Sequence, residues 1–454
     1  MTLETTPASP TSSPPLWGAQ TESARLHFAV GDERMPRELI AAIVTIKRAA
    51  ARVNARLGRI DELTARAIES AAAGLLAGEH DDAFFPLSPW QSGSGTQTNM
   101  NVNEVLARLA TARLPTGRRV HPNDDVNHAQ SSNDVVPAAI HVAAARLLRG
   151  RVVPALDALT ATLDAQSRRF DSVVKLGRTH LQDAVPLALG QEVRAWSSQL
   201  RIARQAVDAA WPALLELPLG GTAVGTGLNA HPRFGAEICA EIAAITGEPF
   251  VEAADRFALI AGHDAVVALH GALKGLAVAL HKMASDIRLL ASGPHGGIGE
   301  LVLPANEPGS SIMPGKVNPT QCEMLVMVCL QVIANDTAVT LGAANGQLQL
   351  NTCRPLIALN LLQSLRLLAD AMRSFEAHAL RGLEANLERI DELLDASLMS
   401  VTALAPHIGY DAAARIVAHA RTQALPLRDA AVQLGVDGQD FDRWTDRARL
   451  LGPE

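Results

Sequence analysis

Long apolar segments with the spacing of α-helices limit what this chain can fold into. Leu39, Ile43, Ile46 and Ala50 recur at intervals of three and four residues, which is the pattern of a helix with one buried face. The segment Ala253–Ala291 continues such a pattern for roughly 40 residues, and few segments alternate with the period of a strand. The sequence therefore predicts an all-α protein. Helices of about 25 to 40 residues indicate a long bundle whose apolar faces need a second copy of the chain to cover them.

Composition limits the core and the partners of such a bundle. Hydrophobic residues make up 48% of the 454 residues and aromatic residues only 3%, so the core must be aliphatic. The net charge of −7 comes from 40 basic and 47 acidic residues without a long run of one sign, which excludes the basic surface of a nucleic-acid-binding protein. Four cysteines without CxxC spacing argue against a disulfide framework and against a zinc site.

The first residues and the apolar windows bear on the location of the protein. Residues 1–15 are rich in Pro, Ser and Thr and predict a disordered tail. No basic region followed by an apolar region opens the chain, so no secretory signal is predicted. No uncharged apolar window reaches the length of about 18 residues that suggests a membrane span. We therefore expect a soluble, cytoplasmic protein with no membrane partner.

Four polar segments interrupt the apolar helices, at residues 92–103, 121–134, 177–183 and 309–318. Each lies near a predicted helix end, where free N–H groups and the helix dipole attract anions. No pair of arginines is suited to grip a phosphate, so we expect a small dicarboxylate. Neither a Walker-type loop nor a GxGxxG motif after a strand is present, which excludes ATP and NAD. The residues that resemble parts of such a site are Gly93, Gly95, Thr96, Ser131, Ser132, Asn133, Thr179, Lys316 and Asn318.

The last polar segment lies in the most constrained stretch of the chain, EPGSSIMPGKVNPTQCE over Glu307–Glu323. Its three prolines and two glycines exclude a helix or a central strand over residues 308–319. Ser310, Ser311, Lys316 and Asn318 provide two hydroxyls, a cation and an amide, which together could hold an anion and accept a proton. A well-ordered Ω-loop without chemistry is the alternative interpretation.

Other polar residues also allow a plain structural interpretation. His180 could carry protons or could be a structural histidine. Ser131 and Ser132 could do no more than cap a helix that runs from Asp134 to about Arg169. Ser310 as a nucleophile lacks the support of a GxSxG motif.

The polar segments together resemble the fumarase/aspartase superfamily. GSSIMPGKVNP is similar to that family's signature loop, and the other matching segments follow in the family's order: SGSGTQTNMNVNEV, VHPNDDVNHAQSSND, GRTHLQDAVPLALGQE and GGTAVGTGLNAHP. The likeness runs from Leu16 into MSVTALAPHIGY near the C-terminus. Within the superfamily the chain looks most like the class II fumarases, which are metal-free homotetramers.

The resemblance implies an all-α fold of three domains, over residues 1–131, 132–387 and 388–454. The central domain would be a bundle of long helices that forms a 20-helix core in a homotetramer, with each active site shared between three subunits. The substrate would be the dicarboxylate pair fumarate and malate, and neither a metal nor an organic cofactor is implied.

The resemblance also implies a reaction: reversible, stereospecific trans addition of water to fumarate, giving (S)-malate through an aci-carboxylate intermediate. Ser310 would be the base, with Lys316, Asn318 and Thr179 stabilising the charge that develops. His180 paired with Glu323 would hold and polarise the water. The remaining substrate-binding residues would be Ser94, Thr96, Ser131, Ser132, Asn133 and Ser311.

The resemblance also implies a second anion site, because the matching positions of the family are occupied here by Arg118, His121, Asn123 and Asp124. The alternative interpretation is a helix-capping turn at Asn123 and Asp124. Two positions depart from the family pattern: His128 replaces a frequent Lys, and His295 replaces an Arg. Both could change the pH dependence.

Two other functions are alternatives to hydration. An ammonia lyase of the aspartase type is the rival within the superfamily, but aspartases commonly have Gln at the position of His180 and lack the ending that supplies Glu323. A catalytically silent helical scaffold is the second rival, and the intact polar segments argue against it.

Overall fold

The computed structural model describes residues 16–79 and 82–451, so the predicted disordered tail over residues 1–15 lies outside the described residues. The α-helices that precede the first strand are α1 Ala19–His27, α2 Arg37–Arg56, α3 Glu62–Leu76, α4 Thr96–Thr111, α5 Ser132–Leu147 and α6 Val153–Arg169. A hairpin of β1 Val174–Thr179 and β2 Gln182–Ala188 follows.

Long helices make up most of the middle of the chain, with short strands between them. In chain order the elements are α7 Leu189–Leu214, β3 Glu216–Leu217, α8 Phe234–Thr246, β4 Val251–Glu252, α9 Arg256–Ala261, α10 Asp264–Leu290, β5 Leu301–Val302, α11 Thr320–Ala343, β6 Gly346–Gln347, β7 Leu350–Asn351 and α12 Arg354–Phe375.

Shorter elements complete the chain. They are β8 Glu384–Ala385, α13 Leu387–Ala396, α14 Ala405–Ile408, α15 Tyr410–Gln423, α16 Leu427–Gln433 and α17 Gly438–Trp444. Three short π-helical segments lie at Pro122–Val126, Leu148–Val152 and Glu376–Leu380, and three 3₁₀ turns at Asp82–Phe84, Met399–Ala403 and Arg447–Leu451. The described strands pair as β1–β2, β3–β4, β5–β8 and β6–β7, and among these pairs β3–β4 is the parallel one.

The chain divides into two compact units. Unit 1 holds the residues up to Val152 together with Ala206–Lys274 and Gln331–Leu367. Unit 2 holds Val153–Gln205, Gly275–Leu330 and the residues from Leu368 onwards. Each unit has an aliphatic core, with Ile43 and Ile140 fully buried in unit 1 and Leu280 and Leu325 in unit 2. The three-domain division over residues 1–131, 132–387 and 388–454 stays a prediction.

The predicted helical fold is confirmed. The prediction of a single helix over Ala253–Ala291 was wrong, because α9 ends at Ala261 and α10 begins at Asp264. The side chain of Arg354 donates a hydrogen bond to the carbonyl oxygen of Ile260. That oxygen would otherwise accept from the fourth residue on in a continuous helix, so a distant side chain stabilises the break.

Two further boundaries differ from the prediction. The helix predicted from Asp134 to about Arg169 is divided into α5 and α6 by the π-helical turn at Leu148–Val152. The polar segment at residues 92–103 was predicted to lie outside a helix, whereas α4 already begins at Thr96.

The third polar segment forms a β-hairpin, which the sequence analysis did not predict. β1 and β2 pair antiparallel, with Thr179 opposite Gln182. His180 and Leu181 form the two-residue turn with φ of 55° and 58°. Positive φ at both turn residues gives the backbone twist that suits a two-residue hairpin. Gly177 and Pro186 within the strands obscured the period-two pattern in the sequence.

Two of the described helices, α10 and α11, are long and apolar enough to cross a membrane by length and composition alone. The sequence predicted no such segment. A core helix of a water-soluble bundle meets the same criterion, so this finding gives only weak support for a membrane span.

Candidate active site

In unit 1 the predicted carboxylate ligands gather at the start of α5. Ser131 is its N-cap: the Ser131 hydroxyl accepts from the N–H of Asn133, and the Ser131 N–H donates to the Asp134 carboxylate at 3.0 Å. The capping role weighed for the serine pair thus holds for Ser131. Ser132 is not the cap, and its Oγ lies 2.9 Å from Oγ1 of Thr96.

The start of α4 supplies the other hydroxyls of this group. Gly95, the N-cap of α4, has φ of 77°, and a Cβ there would lie 3.0 Å from a methyl group of Val136. Glycine therefore allows α4 to approach α5 closely, which brings Thr96 to Ser132. Ser94 is buried, with its Oγ 3.4 Å from Oγ of Ser92.

Asp134 joins this group to the glycine-rich turn at residues 220–227. Its carboxylate accepts from the N–H of Gly220 at 3.2 Å and of Thr222 at 2.9 Å, in addition to the N–H of Ser131. Burial raises the pKa of Asp134 to about 6, although the three N–H donors oppose this. The side chain of Asn133 donates to the carbonyl of Ala223 at 2.8 Å. The start of α5 is thus fixed by contacts within its own first turn and by contacts with the glycine-rich turn.

Several unit 1 residues beside these hydroxyls were missed by the sequence analysis. A hydrogen-bond network that reaches Ser132 is formed by Lys47, Asn99, Asn127 and Gln130. Buried Arg354 donates to the carbonyl of Ser132 at 3.5 Å. A signal for Lys47 was present, because it lies four residues after Ile43 and three before Ala50, on the apolar face of α2.

In unit 2 the Ser310 side chain forms hydrogen bonds with the backbone of its own loop, residues 307–319. The Ser310 hydroxyl accepts from the N–H of Ile312 at 3.2 Å and of Met313 at 3.1 Å. Two N–H donors aimed at one hydroxyl oxygen stabilise negative charge on it. The geometry therefore suits a serine that gives up its proton.

The loop keeps this shape through a close backbone crossing. A Cβ on Gly309 would lie 1.6 Å from the carbonyl oxygen of Lys316, so only glycine fits there. Asn318 donates to the carbonyl of Gly309 and accepts from the Lys316 ammonium at 2.7 Å. Thr320 donates to the Glu307 carboxylate at 2.7 Å and closes the base of the loop. Ser311 and Lys316 are exposed.

Thr179 and His180 lie at the tip of the β1–β2 hairpin and are exposed. Glu323 lies in the first turn of α11, and its carboxylate is 3.9 Å from Nη2 of Arg288. Within residues 16–79 and 82–451 of one chain, His180 and Glu323 form no hydrogen bond or ion pair with each other. Their predicted pairing therefore is not made inside one chain.

The hairpin is anchored by a buried ionic group that the sequence analysis also missed. The fully buried carboxylate of Glu300 lies 3.0 Å from Nζ of Lys175 and 2.9 Å from Nη2 of Arg178, both on β1. Lys175 is also 3.0 Å from Glu192. The contacts to Glu300 are ion pairs whose angles are not those of hydrogen bonds. They hold the strand that ends at Thr179.

The predicted second anion site consists of exposed residues in unit 1. The Arg118 guanidinium donates to the Asp61 carboxylate at 2.7 Å, and Asp61 is itself the N-cap of α3. His121 caps the π-helical turn by accepting from the N–H of Asp124 at 3.1 Å. The capping residue is therefore His121 rather than Asn123 or Asp124. The assignment of an anion to these four residues stays a prediction.

The two histidines that depart from the family pattern lie near the surface. Nδ1 of His128 is 3.1 Å from the carbonyl oxygen of Asp124, and His295 is exposed. In the part of the chain that the structure describes, no group of three or more His, Cys, Asp or Glu side chains is placed to hold a metal ion.

Comparison with known proteins decides between the superfamily's branches. The family model described as Lyase matches residues 9–334, and the one described as Fumarase C C-terminus matches residues 401–452. A class II fumarate hydratase of Chromobacterium violaceum is 55% identical over 434 residues, which is 94% of each chain. The chain belongs to the class II fumarate hydratase family. A second member, from Nitrosomonas europaea, is 55% identical over 440 residues, covering 96% of this chain and 95% of that protein.

The fold agrees with that of the fumarate hydratases. A crystal structure of a class II fumarase from Schistosoma mansoni matches with a TM-score of 0.93 at 43% identity, covering 98% of this chain and 97% of that one. The expected resemblance and the expected fumarase/aspartase fold are confirmed. The roles of individual site residues stay predictions.

Proposed function

We propose that this protein hydrates fumarate reversibly to (S)-malate by trans addition, as a hydro-lyase of the tricarboxylic acid cycle. The similarity to class II fumarate hydratases over at least 94% of the chain carries the proposal. The serine oxygen that faces two backbone N–H groups in the 307–319 loop supports it.

Ser310 is the proposed base that removes the C3 proton of malate. A serine alkoxide is unfavourable in water, so its formation requires groups that stabilise the anion. The N–H groups of Ile312 and Met313 supply two such interactions.

The carbanion formed at C3 is stabilised by delocalisation into the neighbouring carboxylate, which gives an aci-carboxylate. Lys316 and Asn318 belong to the same loop as Ser310 and hydrogen-bond to each other. A cation and an amide held in place before the charge develops lower the barrier most. Thr179, on its anchored hairpin, is the third proposed donor.

The water at C2 is assigned to His180 with Glu323. A carboxylate partner selects the imidazole tautomer and raises its basicity. Since one chain does not pair these side chains, we propose that the pair forms between copies of the chain. The substrate carboxylates are assigned to the hydroxyl and amide groups of Ser94, Thr96, Ser131, Ser132, Asn133 and Ser311.

A homotetramer with sites shared between three subunits is the proposed assembly. Four large apolar side chains that α10 and α11 contribute to unit 2 are exposed in a single chain: Val278, Leu289, Met327 and Leu330. An apolar surface of this kind marks an interaction site. Burying these side chains between copies of the chain would form the proposed 20-helix core.

Sedimentation tests the assembly. We expect the wild type to have four times the mass of one chain, and Met327→Glu to shift it to smaller species because a charge would be buried. Val432→Glu, at an exposed position of α16, is the control and should not change the mass. A monomeric wild type would contradict the tetramer.

Three further assignments follow as proposals. The three domains over residues 1–131, 132–387 and 388–454 would be those of the family. The protein would act in the cytoplasm. Arg118, His121, Asn123 and Asp124 would form the second anion site, in which a bound anion must compete with Asp61 for the Arg118 guanidinium.

The reaction is tested by following the loss of fumarate's ultraviolet absorbance in chelator-treated buffer, with and without ammonium. We expect rapid loss that does not depend on ammonium and that yields malate. Loss only with ammonium would place the protein with the ammonia lyases. No loss under either condition would contradict the proposed activity.

A further inference from the structure

Lys47 is a fully buried cation whose partners are two uncharged side-chain amides. Its Nζ donates to Oδ1 of Asn127 at 2.8 Å and to Oε1 of Gln130 at 2.9 Å. No carboxylate lies within ion-pair distance among the described residues of unit 1. Burying a charge without an opposite charge beside it costs several kcal/mol.

The cost of burying the charge lowers the pKa of the lysine. Burial lowers the pKa of Lys47 to about 7, and the Asp134 carboxylate only partly opposes this. An apolar residue of similar length would fit the apolar face of α2 without this cost. The lysine therefore needs an explanation other than packing.

The amides that Lys47 contacts continue as a hydrogen-bond network to the predicted ligand group. Oδ1 of Asn127 also accepts from Nδ2 of Asn99 and of Asn103, both at 3.2 Å. Nδ2 of Asn99 donates in addition to Oγ of Ser132 at 3.2 Å. Ser132 in turn lies beside Thr96. Three hydrogen bonds thus link the Lys47 ammonium to the Ser132 hydroxyl.

The direction of these bonds follows from the lysine. An ammonium group can only donate, so Asn127 must turn its oxygen, and not its NH₂ group, toward Lys47. Asn99 must then present its NH₂ group to that oxygen, and the same NH₂ group donates to Ser132. Since Ser132 Oγ accepts from Asn99, its own O–H can donate, and it faces Thr96 Oγ1 at 2.9 Å as one acceptor that a ligand oxygen would have to replace. A carboxylate is an acceptor-only ligand, which suits this polarity.

We propose that Lys47 is a positioning residue that sets the donor direction of the Asn127–Asn99–Ser132 network, so that Ser132 donates to a substrate carboxylate. This inference rests on the proposed function. Without the cation, the 3.3 Å hydrogen bond from Asn127 Nδ2 to the carbonyl of Gln130 would be left to oppose a flip of Asn127. In the flipped arrangement Asn99 would present its oxygen to Ser132, and the Ser132 O–H would be used internally.

The test is a double-mutant cycle on fumarate hydration. We expect Lys47→Met and Ser132→Ala each to raise KM about 10-fold with a smaller change in kcat, since the lost interaction binds the substrate before and during reaction. The double variant should also show about a 10-fold rise, because both changes remove the same hydrogen bond. Lys47→Met combined with Thr179→Ala, whose side chain lies outside the network, should instead show multiplied effects.

Two more variants keep the test decisive. Lys47→Arg retains a donor-only cation and should stay within about 3-fold of the wild-type KM, which a general packing defect would not produce. If Lys47→Met does not fold, Asn99→Ala breaks the same link and should be non-additive with Ser132→Ala. Multiplied effects of Lys47→Met and Ser132→Ala, or a wild-type KM in Lys47→Met, would overturn the proposal. An inactive wild type would instead refute the proposed function.

Discussion

Ser310→Ala is expected to lower kcat for fumarate hydration by about 10³-fold, within the range of about 10²–10⁴ typical of a lost acid–base group. The variant removes the oxygen that accepts from Ile312 and Met313, and with it the proposed proton acceptor. KM should change by less than about 3-fold if Ser310 acts mainly in the transition state. Steady-state rates in both directions measure this.

Exchange of the C3 proton of malate with solvent distinguishes a serine that acts as the base from one that only binds a substrate carboxylate. If Ser310 is the base, Ser310→Ala should abolish both the exchange of this proton for deuterium from the solvent and the hydration of fumarate. Thr422→Ala, which removes an exposed hydroxyl that donates to the carbonyl of Ala418 on α15, is the control and should keep wild-type rates. A large rise in KM with near-normal kcat would show instead that Ser310 only binds a carboxylate.

Glu300→Gln is expected to destabilise the protein by about 3–5 kcal/mol, the range for breaking a buried ion pair. The carboxylate is fully buried, and its loss leaves the Arg178 guanidinium without its opposite charge while Lys175 keeps Glu192. Denaturant unfolding followed by circular dichroism, at one protein concentration for all variants, measures the change in unfolding free energy.

Activity should fall with stability in Glu300→Gln, because the disturbed strand ends at Thr179 and leads directly into His180. A displacement of about 1 Å at a reacting group can cost about 10²-fold in rate. Glu384→Gln is the matched control: it removes the exposed ion pair with Arg169 and should cost less than about 1 kcal/mol. Equal stability losses in the two variants would contradict the anchoring role of Glu300.

Local signals in the sequence were sufficient for several features of the candidate site. The Ser131 cap depends on contacts within three residues, and such short-range patterns can be read directly. The prolines and glycines of residues 308–319 excluded regular structure there, and the Gly309 crossing shows why glycine is needed. The hairpin at residues 174–188 was missed because its glycine and proline masked a short strand pattern.

Tertiary structure decided the features whose partners are distant along the chain. Lys47 is 80 and 83 residues from Asn127 and Gln130, and Arg354, which reaches the end of α9, is 94 residues from Ile260. The sequence alone determined the helical class, the family and the order of the polar segments, since helix periodicity and motifs are properties of neighbouring residues. Which side chains the fold brings together decides three features: the donor direction of the Lys47 network, the ion pairs of Glu300 with β1, and the end of α9 at Ala261. No pattern within a few residues of the sequence encodes these contacts.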